Sequence, residues 1–300
     1  MYRKSIQCST STSHTKRNGL KRFWAYSYLT ILSSRNISST SSSSTSVNVN
    51  VNALNICILV GSTRESGPPR PLLSNRVTRF IESSIKNRPP SSSSTEDDQQ
   101  QQQQQQPPHK HNVSILHAKD LPLLVKPHFA YSKSQLPTQL SNFHTILNES
   151  DAYITITPEY NHSPCPGLLN LMNHFGSSTF SFKPSGIVSY SAGQWGGTRA
   201  AHSLRPFLSE LGCLPVSAMV HIPKAMDVLD EEGNIIESNG SDGDDNDNEQ
   251  AQQRWATYVD RMIYQVEFWA EAAKQQREVE DPTKRSPAFL KRPSDRNAPS

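Results

Sequence analysis

Five short, unbroken apolar runs punctuate the chain, and each leads toward a stretch with helical spacing. The first, Asn55-Ile-Cys-Ile-Leu-Val60, has strand length and ends in a Gly-Ser-Thr-Arg turn. From Leu72 to Lys86 the apolar positions Leu73, Val77, Phe80, Ile81 and Ile85 fall close to the 3.6-residue repeat of a helix. Val113 to Leu116 predicts a second strand, followed by a proline-bearing loop and a helix over Pro137 to Glu149. Ala152 to Ile156 predicts a third strand, and a helix over Gly167 to Phe175 follows it. Ser185 to Tyr190 and Pro215 to His221 predict the fourth and fifth strands, with a helix over Thr198 to Leu211 between them. A last, long helix spans Gln250 to Gln276, with Trp255, Tyr258, Val259, Met262, Val266 and Trp269 on one stripe. Strands that are apolar throughout, rather than alternating, are buried on both faces, which is the signature of a parallel sheet covered by helices. The pattern therefore predicts an α/β fold: a three-layer, doubly wound, five-stranded parallel sheet.

Composition changes this picture mainly at its edges. No Asp or Glu occurs in residues 1–64, whereas Arg3, Lys4, Lys16, Arg17, Lys21, Arg22 and Arg35 sit there among many Ser and Thr. Such a basic, hydroxyl-rich, acid-free start over residues 1–52 resembles an organellar transit peptide, mitochondrial before plastid, the alternative being a merely disordered basic tail. The apolar patch Phe23 to Leu32 is too short for a membrane span, which needs roughly 20 residues. This arm supplies much of the positive charge behind the formal net charge of +3. The remaining body is slightly acidic and makes no case for nucleic-acid binding. Two low-complexity insertions, at 88–111 with its run of glutamines and at 238–250 with its acidic SNGSDGDDNDNE, interrupt a predicted domain over 53–280. Residues 281–300 read as an unstructured tail. Cys8, Cys57, Cys165 and Cys213 form no C-x-x-C pair, which points to a reducing compartment without a disulfide framework. His109 with His111, and His174 with His202, lack the spacing of a metal site, so no metal is expected.

In doubly wound sheets, ligands bind beyond the carboxyl ends of the strands, where the strand order reverses. The loops after the first, third and fourth strands hold the densest chemistry. Gly61, Ser62, Thr63 and Arg64, with Arg70 further on, precede a helix, and together they offer backbone N–H groups, hydroxyls and guanidinium groups suited to a phosphate. The motif is neither G-x-G-x-x-G nor a nucleoside-triphosphate loop. Thr157-Pro-Glu-Tyr-Asn-His-Ser-Pro-Cys-Pro-Gly167 carries three prolines around four polar groups. It reads either as a turn with a helix cap or as a stiffened binding edge that presents the amides of Glu159, Tyr160 and Asn161. Ser191-Ala-Gly-Gln-Trp-Gly-Gly197 is either a flexible turn or a small-residue surface, with a trapped Trp195, for a flat ligand. Together the three loops describe a mononucleotide site, and the flavodoxin-like branch of this architecture holds FMN at such a point.

The residues Gly61-Ser-Thr-Arg64, Pro158-Glu-Tyr-Asn-His-Ser163 with Asn170, and Ser191-Ala-Gly-Gln-Trp-Gly-Gly-Thr198 closely resemble the NADPH-dependent FMN reductase family over about residues 54–225. The resemblance implies a flavodoxin-like fold, bound FMN, and NADPH or NADH as electron donor. It also implies a flavin, quinone, azo dye or metal oxyanion as acceptor, and assembly as a homodimer or homotetramer. Carried over by position, Ser62 and Arg64 bind the phosphate, with Gly61, Thr63 and Arg70 beside them. Pro158, Glu159, Tyr160 and Asn161 line the ring and ribityl edge chiefly through backbone groups, and Ser191, Gly193, Gly196 and Gly197 close the other side. Leu169 and Asn173 stand where relatives usually carry Lys and Asp, which alters helix-end or subunit contacts rather than the flavin chemistry. The flavin carries that chemistry, so no catalytic side chain is expected, and Glu159 and His162 read as loop or edge residues. The competing classes are a non-turnover electron carrier or flavin-binding regulatory protein, and an apo structural protein. A serine hydrolase is disfavoured because no G-x-S-x-G elbow is present.

Overall fold

A computed structural model describes residues 53–88, 111–236 and 245–285. The transit-peptide expectation for residues 1–52 lies outside the described residues, as do nearly all of the insertion at 88–111 and most of the tail at 281–300. Five parallel strands form the sheet: β1 (Asn55–Val60), β2 (Asn112–His117), β3 (Ala152–Tyr160), β5 (Pro184–Tyr190) and β6 (Leu214–Ile222). Their order is β2-β1-β3-β5-β6, with the two-residue β4 (Ser163–Pro164) pairing antiparallel to β3. The order reverses between β1 and β3, so the fold is the flavodoxin-like doubly wound sheet with its switch point between those strands.

Alternation within each apolar run explains the two cores. On β1, Ile56, Ile58 and Val60 pack into one cluster with α1 (Leu73–Lys86), the short α6 (Ala225–Val228) and α7 (Asp245–Val279). Cys57 and Leu59 point the opposite way, into a second cluster with α2 (Thr138–Glu149), α3 (Pro166–Asn173), α4 (Ser177–Phe180) and α5 (Thr198–Glu210). A strand that must be apolar on both faces has no polar alternation to display. Gly186 admits α7 close to β5: an added Cβ would lie 2.9 Å from Met262 Sδ. The long helix departs from its predicted stripe, because Trp269 is 45% exposed while Ile263 and Ala270 are buried. Over 35 residues the true repeat drifts away from a straight line of apolar positions. Helix α7 also begins at Asp245, inside the predicted acidic insertion, and a short helix α8 (Pro282–Arg285) opens the segment predicted as unstructured tail.

The β6 edge is closed by side chains. Gln265 Oε1 accepts from the Ala218 N–H at 3.0 Å, and the Tyr258 hydroxyl accepts from the His221 N–H at 2.9 Å. Arg205 donates to the Pro215, Val216 and Ser217 carbonyls. An edge with its backbone groups already partnered is a poor template for further strands.

Two charged knots fasten α7. At its C-terminal half, Asp151 Oδ2 accepts from the Asn55 N–H and Lys274 Nζ, each at 3.0 Å, and Oδ1 accepts from Arg277 at 3.1 Å. Further toward its start, Glu267 takes Arg88 on one oxygen and His111 Nε2, at 3.1 Å, on the other. Arg88 also reaches Asp260 at 2.7 Å, and His111 Nδ1 accepts the Leu54 N–H at 3.2 Å, which fixes the tautomer that donates to Glu267. The residues flanking the 89–110 segment thus meet at one carboxylate.

Lys183, 7% exposed, caps the end of α2 by donating to the Leu147 and Asn148 carbonyls at 2.8 and 3.0 Å, and it reaches the Tyr153 hydroxyl at 3.0 Å. Burial, reinforced by the Arg277 charge and opposed by Asp151, pushes its ammonium down from 10.5 to about 8. The folded chain therefore holds this proton less tightly than the unfolded chain. Its contribution to stability is lost as pH falls through 8 and grows as pH rises toward 10.5. Above pH 9 the buried Cys57 and Cys213 thiols, each raised to about 12, oppose the trend. In urea titrations between pH 8 and 9, wild-type stability is expected to rise relative to Lys183→Met, by at most about 1.4 kcal/mol per pH unit. Parallel curves for the two proteins would refute this protonation assignment.

Candidate functional site

The loop after β1 begins as an extension of the ladder, with the Gly61 N–H donating to the Ile156 carbonyl at 2.9 Å. It then packs directly against the start of α3. A Cβ added at Gly61 would lie 2.5 Å from Leu168 Cβ and 2.7 Å from Cys165 Sγ, and one added at Gly167 would strike the Gly61 carbonyl and Thr63 Cγ2. Ser62 is buried, and the fold brings the Tyr190 phenol at the end of β5 close to it and to Ser74 on the first turn of α1. Burial pushes the Tyr190 phenol up against the lowering effect of these two hydroxyls, so it stays neutral. Thr63 and Arg70 are exposed. Arg64 turns back on its own loop, with Nε donating to the Ser66 carbonyl at 3.0 Å and one terminal nitrogen to the Pro68 carbonyl. Two of its five donors are committed, which orients the guanidinium and leaves three for an anion.

The segment after Ile156 differs from its prediction. Strand β3 continues to Tyr160, where the expected loop was to begin at Thr157, and turns through Asn161 (φ 51°) and His162 (φ 64°) into β4. Two consecutive left-handed residues make a two-residue hairpin turn whose twist suits paired strands, and Asn is among the few side chains tolerant of that conformation. Hairpin pairing of Glu159 with Pro164 and of Tyr160 with Ser163 stiffens the edge, in addition to the prolines. Thr157 Oγ1 accepts from the Cys165 N–H at 3.0 Å and closes the base of the hairpin beside Gly61. Tyr160, Asn161 and His162 are exposed at its tip.

The loop after β5 is held from below by the loop after β6. Lys224 N–H donates to the Gly193 carbonyl at 2.9 Å and Ala225 N–H to the Ser191 carbonyl at 3.0 Å. Gly196 (φ 59°) and Gly197 (φ 77°) adopt the left-handed conformation, with Ser189 Oγ donating to the Gly196 carbonyl at 2.8 Å. A Cβ added at Gly193 meets nothing within 4 Å, so this part of the loop faces open space. Trp195 is not trapped, as the sequence suggested: it is 62% exposed. The Arg199 guanidinium sits 5.9 Å from its ring centroid and also pairs with Glu159 Oε1 from the neighbouring hairpin. The other carboxylate oxygen of Glu159 is buried without a partner.

Loops after β1, β3 and β5 therefore converge at one edge of the sheet. Gly61, Ser62, Pro158, Glu159, Ser191, Gly196 and Gly197 are brought together around the switch point. Arg70 stays at the outer part of its long loop. His174 is buried under the loop after β2, its Nε2–H donating to the Pro122 carbonyl at 2.9 Å, and Asn170 pins that loop through Leu124 and Pro122. Sequence reasoning did not single out Tyr190 or Arg199. The signal for Arg199 was an unmatched cation two residues beyond the last glycine, opposite an acid in the adjacent loop.

The profile of the NADPH-dependent FMN reductase family matches residues 54–227. This chain belongs to that family. An NAD(P)H-dependent FMN reductase of Pseudomonas aeruginosa is 31% identical over 105 residues, which cover 34% of this chain and 57% of that protein. A quinone reductase of Pseudomonas putida is 37% identical over 76 residues, 24% of this chain and 41% of its own length. The chain thus spans about half the length of these curated family members. Among solved structures, the flavoenzyme FerB, an NAD(P)H:acceptor oxidoreductase from Paracoccus denitrificans, aligns with a TM-score of 0.48 and 19% identity, over 71% of this chain and 99% of that one. The donor set of this site fits the family's cofactor. Hydroxyls and an oriented guanidinium suit a phosphate, while an open glycine surface and a rigid hairpin edge suit a flat ring.

Proposed function

We propose that this protein is an FMN-dependent NAD(P)H oxidoreductase whose acceptor is a flavin, a quinone or a similar small molecule. The observation that carries the reading is the convergence of three loops at the switch point, one rich in anion donors and two offering fixed backbone beside open space. Ser62, Thr63 and Arg64 hold the phosphate, with Arg70 closing from outside. Pro158 to Asn161 give the ring edge a rigid row of backbone groups, and Ser191, Gly193, Gly196 and Gly197 allow close approach on the other side. Bound FMN supplies hydride and electron transfer. The chain's own residues bind, orient and exclude water, and no side chain is needed as acid or base. A second copy of the chain packs against the loop after β2, where Leu123, Val125 and Phe129 are 82%, 94% and 70% exposed. Residues 1–52 direct the protein to mitochondria.

Purified protein loaded with FMN is expected to show flavin absorbance after desalting, to oxidise NADPH or NADH when a quinone or free flavin is added, and to have the mass of a dimer by light scattering. Flavin absorbance without nicotinamide oxidation would favour the electron-carrier class, and no retained flavin would favour the structural one.

A further inference from the structure

Trp195 is exposed, yet it is not loose. Its carbonyl accepts from the Thr198 N–H at 3.2 Å and from Thr198 Oγ1 at 2.8 Å, which pins the backbone beneath the ring. The Arg199 guanidinium supports the ring from 5.9 Å, and Arg199 is itself held by Glu159, whose side chain is only 7% exposed. Immobilising a large side chain costs conformational entropy, and here that cost is not offset by burial. Glu159 adds to it by keeping one carboxylate oxygen buried without a partner. Costs of this kind are met at binding edges, where an aromatic surface held in advance reduces what a ligand must order on arrival. The rack stands on two of the three loops that frame the proposed flavin edge, and Gly193 beside it faces open space.

We propose that Trp195, fixed by Arg199 and Glu159, is a wall of the acceptor slot against which a flat, ring-containing acceptor of the quinone class stacks. This rests on the flavin-reductase reading above. Trp195 supplies contact, and Arg199 and Glu159 are positioning residues that act through it. The ring has one face toward the guanidinium and leaves the other for an offset stack with a planar ligand.

The test is equilibrium dialysis of duroquinone, a fully substituted quinone inert to thiols, against the oxidised, FMN-loaded full-length protein without nicotinamide. Trp195→Ala is expected to weaken duroquinone binding about tenfold, with Trp195→Phe within about threefold of wild type and FMN affinity within twofold in both. Arg199→Met is expected to weaken duroquinone binding about threefold alone and to add nothing to Trp195→Ala, because it acts only through the ring. Unchanged duroquinone binding in Trp195→Ala, equal losses of FMN and quinone, or a wild-type protein that binds no duroquinone would each overturn the wall. Additive effects of the two substitutions would overturn the role of Arg199. A wild-type protein that binds duroquinone through Trp195 but never oxidises NADPH would leave the wall standing and refute the reductase reading.

Discussion

Gly61→Ala is expected to destabilise the fold by about 3 kcal/mol, the upper end of overpacking costs, and to weaken FMN binding at least about tenfold. A methyl group at this position would stand 2.5 Å from Leu168 Cβ, 2.7 Å from Cys165 Sγ and 3.2 Å from the Ile156 carbonyl. Two of these obstacles are anchored to backbone, and the Gly61 N–H is already committed to Ile156. The loop after β1 or α3 would have to move, and Ser62 and Thr63 would move with it. Gly193→Ala is the matched control, since its added carbon meets no protein atom within 4 Å and leaves stability unchanged. Any flavin loss at Gly193 then reports on the ligand itself. Thermal unfolding and flavin titration of both variants measure the contrast, and equal stability in the two would refute this account of the glycine contact.

Asp151→Ala is expected to cost about 3 kcal/mol at pH 7. The carboxylate is largely buried and satisfies the Asn55 N–H, Lys274 and Arg277 at once. Its removal orphans the first amide of β1 and leaves two cations beside Lys183, which burial already disfavours as a cation. The result is a tie lost between α7 and the starts of β1 and β3, at the end of the sheet opposite the three converging loops. Urea unfolding should show the loss, about 6 to 12 °C if read as a melting temperature, while flavin affinity of the folded protein stays unchanged. A cost below about 1 kcal/mol would mean that the three contacts are individually weak.

Much of the architecture was legible because the apolar runs are continuous and the glycine loops follow them. Residues 55–60 were read as a strand to the residue, since nothing polar interrupts them. The hairpin at Asn161 and His162 was not legible, because left-handed conformation at two non-glycine residues depends on pairing that no local rule imposes. Trp195 was misjudged for a related reason: glycine-rich surroundings look like a packed turn in sequence, whereas the ring is supported by a cation from the next helix. Tyr190 lay at the end of a strand already assigned to the core, and only the fold brings its phenol near Ser62 and Ser74.

The meeting of Arg88 and His111 on Glu267 has a consequence for how this gene can vary. Between those two residues lie eight consecutive glutamines. Arg88 and His111 are fastened to one carboxylate on α7, so the described body is tied at this point whatever number of residues joins them. By closure entropy, doubling the number of residues between two fixed ends costs about 0.6 kcal/mol, less than a single charge-assisted hydrogen bond of about 1.5–3 kcal/mol. Repeat number is thereby expected to weigh little on the stability of the described body.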